Sequence, residues 1–383
     1  MAVGEARGTL QDRPAEFTER DYTARMARAA RDALDAGLAG LLLTTGPELV
    51  RLCGHRPRAA TGRLTLLVIT PEAEPRLLVP ATERAAAEAS PGAGAVRITD
   101  WRDGQNPYSA ATGLLRPSGH YGVCEMTWAL HLEGLREALP LAGYRPLAAV
   151  LPLLRAVKDD HEVARMSAAG AAADAAYAEI LSARFAGRRE TDVAAELTRR
   201  LRAHGLSQVD VAVVGSGPNG ADPRHTAADR VIQPGDMVVL GLGGLKDDYG
   251  SDTTRTVHVG EPTAEERRVH DVVHAAHRAA LAAVRPGVPC QDVDRAARTV
   301  IEEAGYGPYR VPCTGHGIGI STDEPPYLTE AEPHPLLPGM CLAVEPALRL
   351  PGRFGARLED TLTCTETGAR PLNRASHELA VVA

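Results

Sequence analysis

Lysine is almost missing from this 383-residue chain: it occurs only at Lys158 and Lys246, and arginine supplies nearly all the positive charge. Acids still outnumber bases, and a formal charge of −7 argues against nucleic acid or an anionic membrane as the main partner. Aromatic residues make up 4%, so a core drawn from a 44% hydrophobic composition must be built mostly from Ala, Leu and Val. No apolar run approaches the ~18 residues of a membrane-spanning helix, and residues 1–19 contain no apolar signal core. The six cysteines stand far apart with no CxxC pair, which predicts reduced thiols in a cytoplasmic protein. A glycine-rich phosphate loop is absent too; Gly92 and Gly94 lack the strand-to-helix setting one needs.

The length suits two domains. Residues 1–17 are polar, contain Pro14 and read as a flexible N-terminal arm. Thr18 can cap a helix over 19–36 that Gly37 closes. Apolar runs at 38–45, 64–70, 77–79 and 121–124 read as strands, with helices near 81–89 and 129–139, giving an α/β first domain over 18–150. Residues 140–154 carry Pro140, Pro146 and Pro152 and read as a linker. From 155 to 383 the pattern changes. Asp159 or Asp160 caps an alanine-rich helix reaching about residue 185, and further helices fall at 190–204, 264–284 and 291–304. Strands at 209–214, 237–242, 253–259, 340–347 and 356–365 surround them, which predicts an α+β domain, a curved antiparallel sheet backed by helices.

The chemistry is concentrated in that second half. The stretch 237–256, MVVLGLGGLKDDYGSDTTRT, reads as a strand, a glycine-punctuated turn and a second strand opened by Asp252. Acids at 241 and 252 on such strands could hold a pair of divalent cations, yet position 241 is Gly241. His316 in GHGIGISTDEPP, Glu345 in CLAVEPAL and Glu359 in ARLEDTL complete the set. One imidazole with three carboxylates suits Mn, Co, Fe or Zn as divalent ions. Strand alternation lets Glu345 and Glu359 point to the same side from neighbouring strands.

In order along the chain, SGPN, QPGDMVVL, YGSDTTRT, GHGIG, EPP, PGM, VEP and RLED resemble the pita-bread metallopeptidases. That family includes Xaa-Pro aminopeptidases, prolidases and methionine aminopeptidases, with creatinase as a metal-free relative. YTARMARAARDALDAGLAGLLLT and LLRAVKDDHEVARM resemble the Xaa-Pro peptidase and creatinase branch, so the likeness covers essentially the whole chain. It implies a C-terminal pita-bread domain behind a creatinase-type N-terminal domain. Carried over by position, five family metal ligands fall on Gly241, Asp252, His316, Glu345 and Glu359. The family's histidines fall on Arg224, with His225 one residue late, on Pro312 and on Asp323. Arg357 beside the last ligand is kept.

The resemblance therefore implies a degenerate site. At most one divalent ion, or none, is expected, because a second would keep only Asp252 and Glu359. Arg224, Pro312 and Arg357 face the substrate in this reading, and Asp323, His225 and Arg357 are the catalytic candidates. Ile318, Ile320, Pro325 and Pro326 are expected to bury Asp323 and, with Glu324 adjacent, to raise its carboxyl to a useful base. Each residue also has a plainer reading: Asp323 as a cap, His225 as a surface side chain, Arg357 as a structural ion-pair partner, Cys313 as a small buried hydrophobe. Three functions remain open, and the first is favoured because a pure scaffold has little reason to keep Asp252, His316, Glu345, Glu359 and Arg357 together. One is a divergent enzyme acting on a C–N bond, or by proton transfer, on a small non-standard substrate. The others are a weakened single-metal Xaa-Pro peptidase and a non-catalytic scaffold. The expected partners are a small molecule or short peptide and a second copy in a homodimer.

Overall fold

The structure is a computed structural model and describes residues 14–58 and 62–383. Most of the expected arm, residues 1–13, lies outside the described residues. The chain forms two compact units, Ala15–Arg155 and Ala156–Ala383.

The first unit is a six-stranded mixed sheet covered by helices. Its strands are β1 (Gly40–Leu43), β2 (Leu66–Thr70), β3 (Ala73–Pro80), β4 (Arg97–Trp101), β5 (His120–Val123) and β6 (Gly143–Pro146), in the order β4-β3-β2-β1-β5-β6. Helices α1 (Glu19–Asp35), α2 (Pro47–Cys53), α3 (Arg84–Glu88), α4 (Pro107–Thr112), α5 (Ala129–Ala138) and α6 (Leu147–Val150) complete it. Alternation sets its two cores: Leu41 and Leu43 pack with Met26 and Leu49, whereas Leu42 packs with Leu66 and Trp101. The proline-bearing linker expected at 140–154 is not a free linker. Residues 143–146 add the edge strand β6 parallel to β5, a position that tolerates Pro146 because an edge strand leaves one row of hydrogen bonds unmade.

The second unit is α+β. Helix α7 (Asp160–Ile180) starts at Asp159, whose side chain accepts from the Glu162 amide while Glu162 returns a bond to the Asp159 amide. Helices α8 (Glu190–Ala203), α9 (Ala264–Ala283) and α10 (Cys290–Glu303) follow. Strands β7 (Gln208–Ser216), β8 (Met237–Lys246) and β9 (Tyr249–Val259) form an antiparallel run, with α7 and α8 packed on the Val238, Leu240 and Leu242 side. The hairpin turn is not glycine-punctuated as expected. Gly241, Gly243 and Gly244 lie inside β8, and the chain turns at Asp247 and Asp248, with φ of 48° and 75°. Two adjacent positive-φ residues between paired Lys246 and Tyr249 make a tight two-residue turn.

The C-terminal strands are β10 (Gly315–Gly317), β11 (Glu324–Leu328), β12 (Cys341–Val344), β13 (Ala347–Leu350), β14 (Phe354–Arg357), β15 (Asp360–Thr365), β16 (Gly368–Pro371) and β17 (Ala380–Val382). The long strands expected at 340–347 and 356–365 are each broken. Glu345 and Pro346 separate β12 from β13, and Leu358 and Glu359 separate β14 from β15. Arg255 ties these breaks to β9. Its buried guanidinium donates to the carbonyls of Thr254, Glu359, Ala375 and Ser376 and to Asp360 Oδ1, at 2.7–2.9 Å. No helix among the described residues is long and apolar enough to cross a membrane.

One face of α9 carries His270 and His277, both buried in the fold and pushed down by that burial to about 4. The unfolded chain takes up protons at these imidazoles near ~6.5, where the folded chain holds them neutral. Stability should therefore be lost as pH falls from about 6.5 to 4. In urea titrations the unfolding midpoint should drop across that window, and His277→Gln should flatten the slope. An unchanged slope in the variant would rule out this source of acid sensitivity.

Candidate metal centre and substrate pocket

The breaks in the strands bring four of the expected residues to one place. Asp252 on β9, His316 on β10 and Glu359 offer ligand atoms all within 4.8 Å of one another. Glu345 joins at the edge, Oε1 3.9 Å from His316 Nε2. His316 Nδ1 lies 2.9 Å from the Gly317 carbonyl, which fixes the proton there and leaves Nε2 as the lone-pair nitrogen. The Thr254 hydroxyl donates to Glu359 Oε2 at 2.6 Å. Asp252 Oδ1 is buried with no hydrogen-bond partner.

The electrostatics call for a cation. Burial, then the Glu359 charge, raises the Asp252 carboxyl well above the usual range, although Arg357 opposes them. The same two causes push Glu345 up to about 7. Carboxylates packed this closely either take up protons or gather positive charge. Arg357 supplies part of that charge: Nη1 donates to Glu345 Oε2 at 2.9 Å, and Nη2 lies 3.8 Å from Glu359 Oε2.

Gly241 sits on β8 opposite Thr254. A Cβ at that position would meet Val211 Cγ1 at 3.1 Å, Val213 Cβ at 3.2 Å and Arg357 Nη2 at 3.3 Å. The guanidinium thus lies beside the space that an acid at 241 would enter. The residues present fit a divalent ion among Asp252, His316, Glu345 and Glu359. A separate cluster of His277, Asp360 and His377 has ligand atoms within the same 4.8 Å limit. Its single carboxylate already pairs with Arg255 at 2.7 Å, so its charge is met without an ion.

A pocket of about 90 Å³ adjoins the cup, with His225, Asn219, Asp222, Arg349 and Arg357 in its wall. His225 is no free surface side chain: its Nε2 is 2.7 Å from Glu190 Oε2. Glu190 is fully buried at the start of α8. Burial alone would raise its carboxyl, but bonds from the Ser216 hydroxyl and amide, the Ala228 amide and His225 hold it below its ordinary value. The carboxylate accepts from all of them, so the His225 proton sits on Nε2.

The other expected positions behave differently. Arg224 and Pro312 are exposed, and neither lines this pocket. Asp323 is exposed as well, so the burial expected to raise its carboxyl is not there. The apolar neighbours turn inward instead, and the adjacent Glu324 is buried against Lys158 at 2.6 Å rather than crowding Asp323. The Cys313 thiol donates to the Gly315 carbonyl, and burial pushes its pKa up, which disfavours a nucleophilic thiolate. Sequence reasoning missed Glu190 and Arg349. Glu190 looks like an ordinary acid in a first helical turn, and Arg349 like one of many arginines.

A pita-bread cup of one imidazole and three carboxylates defines a class of metal-dependent hydrolases, and comparison with known proteins agrees. The model of metallopeptidase family M24 matches residues 164–366. The chain is 41% identical over 371 residues to the probable dipeptidase PepE of Mycobacterium tuberculosis, covering 96% of this chain and 98% of that protein. It is 31% identical over 332 residues to the Xaa-Pro dipeptidase of Lactobacillus delbrueckii subsp. lactis, covering 84% and 89%. The crystal structure of dipeptidase PepE from Mycobacterium ulcerans superposes with a TM-score of 0.88 at 40% identity, covering 96% of this chain and all of that one. The chain belongs to metallopeptidase family M24 and is a hydrolase.

The Lys158–Glu324 pair holds β11 beside the His316 strand, with both side chains almost fully buried. Lys158→Met would strip this ion pair from the buried Glu324 carboxylate, which should cost about 3–5 kcal/mol of stability in denaturant titrations. A loss below about 1 kcal/mol would mean that the pair does not hold the strand.

Proposed function

We propose that this hydrolase cleaves the amide bond of dipeptides, with a single divalent ion held by Asp252, His316, Glu345 and Glu359. The observation that carries the reading is the buried, unpartnered Asp252 Oδ1 within a trio of ligand atoms no more than 4.8 Å apart. The names of the similar proteins, dipeptidase and Xaa-Pro dipeptidase, support a dipeptide as the substrate. Of the readings left open by the sequence, this is the single-metal peptidase.

Such an ion supplies Lewis acidity toward a carbonyl oxygen and lowers the pKa of a bound water. The chain's own groups do the rest. Arg357 neutralises Glu345 and lies near Glu359, so the three carboxylates are balanced by one guanidinium and one dication. His225, oriented by Glu190, keeps Nδ1 available to take and return a proton within the adjoining pocket. Arg224, Pro312 and Asp323 add no imidazole, so turnover should be slow beside that of an enzyme with a full set of proton carriers.

The test is hydrolysis of Ala-Pro and of non-proline dipeptides, followed by chromatography after the protein is loaded with Mn²⁺, Co²⁺, Fe²⁺ or Zn²⁺. Cleavage should stop on chelation and in Asp252→Asn. His225→Ala should lower kcat by ~10²–10⁴-fold with KM little changed. If no dipeptide is cleaved with any of the four metals, the reading is wrong.

A further inference from the structure

The geometry points to Arg349 as the anchor for a carboxylate of the substrate, held in the pocket beside the metal cup. This rests on the peptidase reading and adds the chemistry by which that site selects its ligand.

Arg349 lies on β13, where it pairs with Gly355 of β14, and two residues away Ala347 pairs with Arg357. Directly opposed residues in an antiparallel pair share a face, as do residues two apart on one strand. Arg349, Ala347, Gly355 and Arg357 therefore share one face of the ribbon, two guanidiniums separated by two small residues. Leu348 and Leu350 turn the other way and are buried. Gly355 is held to glycine by its surroundings, because a Cβ there would lie only 2.0 Å from the Gly220 carbonyl oxygen. The Gly220 backbone therefore packs across from Arg349, and the pocket wall includes Gly220 and both arginines.

The Arg349 guanidinium has no hydrogen bond or ion pair among the described residues, although the side chain is half-buried. The acids whose charge reaches it, Glu345 and Asp222, form no ion pair with it. Glu345 is taken by Arg357, and Asp222, on the same pocket wall, accepts from the Arg224 amide and forms no ion pair with Arg349. Burial, followed by the Arg357 charge, lowers the pKa of Arg349. A cation withdrawn from water and left beside a second cation is unfavourable until an anion arrives. A carboxylate fits the planar guanidinium with two parallel hydrogen bonds and relieves the repulsion between the arginines. Arg357 belongs to both the pocket and the cup, so it links a small molecule anchored at Arg349 to Glu345 and Glu359.

Two sources could provide the carboxylate: the C-terminus of a dipeptide, or the side chain of an acidic residue. The test measures binding without turnover, by calorimetry on the full chain as purified. The probes are reduced-amide analogues, whose CH₂–N link resists hydrolysis: Ala-ψ[CH₂N]-Pro as the free acid, the same compound as its C-terminal amide, and Ala-ψ[CH₂NH]-Asp amide. Wild type should bind the free acid at least about tenfold more tightly than its amide. Arg349→Gln should remove that preference without weakening the amide, and Arg349→Lys should restore part of it. A preference carried by the Pro acid assigns the terminus, and an Asp amide that alone binds more tightly than the Pro amide and loses this advantage in Arg349→Gln assigns the side chain. Thermal unfolding checks that the variants are folded. Failure of both the Pro acid and the Asp amide to bind more tightly than the Pro amide in wild type, a preference that survives Arg349→Gln, or no binding of any probe would overturn the proposal. Dipeptide cleavage without acid preference would remove Arg349 alone, whereas acid preference without cleavage would remove the peptidase reading and leave the anion site.

Discussion

Three carboxylates buried within a few ångströms cannot all stay ionised unless positive charge is brought to them, and the second unit is built around that constraint. The cup brings Asp252, Glu345 and Glu359 together, and burial with mutual repulsion raises two of the three. The fold answers with one fixed cation, Arg357, and leaves Asp252 Oδ1 and His316 Nε2 available to a second, exchangeable one. A glycine at 241 removes a fourth negative charge, and the guanidinium lies against the space this opens.

The backbone that presents these groups is set by polar interactions at the strand breaks. Glu345 and Glu359 sit just past the ends of β12 and β14, where the Glu345 amide donates to the Thr314 carbonyl and Glu359 exchanges both backbone bonds with Thr254. Arg255 uses its buried guanidinium to hold Glu359 and Asp360 against β9. The Lys158–Glu324 pair does the same for the strand next to His316. Glu190 plays this part for the pocket, drawing Ser216, Asn219 and His225 around one buried carboxylate. These ties fix geometry at a cost in desolvation, which suits residues that must hold a small ligand in a defined place.

Much of the fold was legible because local signals agreed with it. Thr18 and Asp159 open helices where capping chemistry places them, and the four cup residues follow the order and spacing of a recognisable family. Element ends near the site were not legible. Alternation continues through Pro346 and Leu358, so periodicity alone cannot show that the strands break there to free two acids. The β8–β9 turn was misplaced because glycines suggest turns, whereas here Gly243 and Gly244 relieve crowding inside a strand: a Cβ on either would lie 2.1–2.4 Å from a neighbouring carbonyl oxygen. The environment of Asp323 was misjudged because apolar neighbours in sequence can face away from the residue they flank. The roles of Glu190 and Arg349 come from contacts across the fold, which no local pattern encodes.

The central claim, one exchangeable cation beside one fixed guanidinium, is most directly tested by counting ions. Protein loaded with excess Mn²⁺ or Zn²⁺, dialysed exhaustively and assayed by elemental analysis should retain one equivalent per chain. Asp252→Asn should retain much less, and Gly241→Asp should move the count toward two as its carboxylate displaces Arg357. Two equivalents held by the wild-type protein after dialysis would contradict the account.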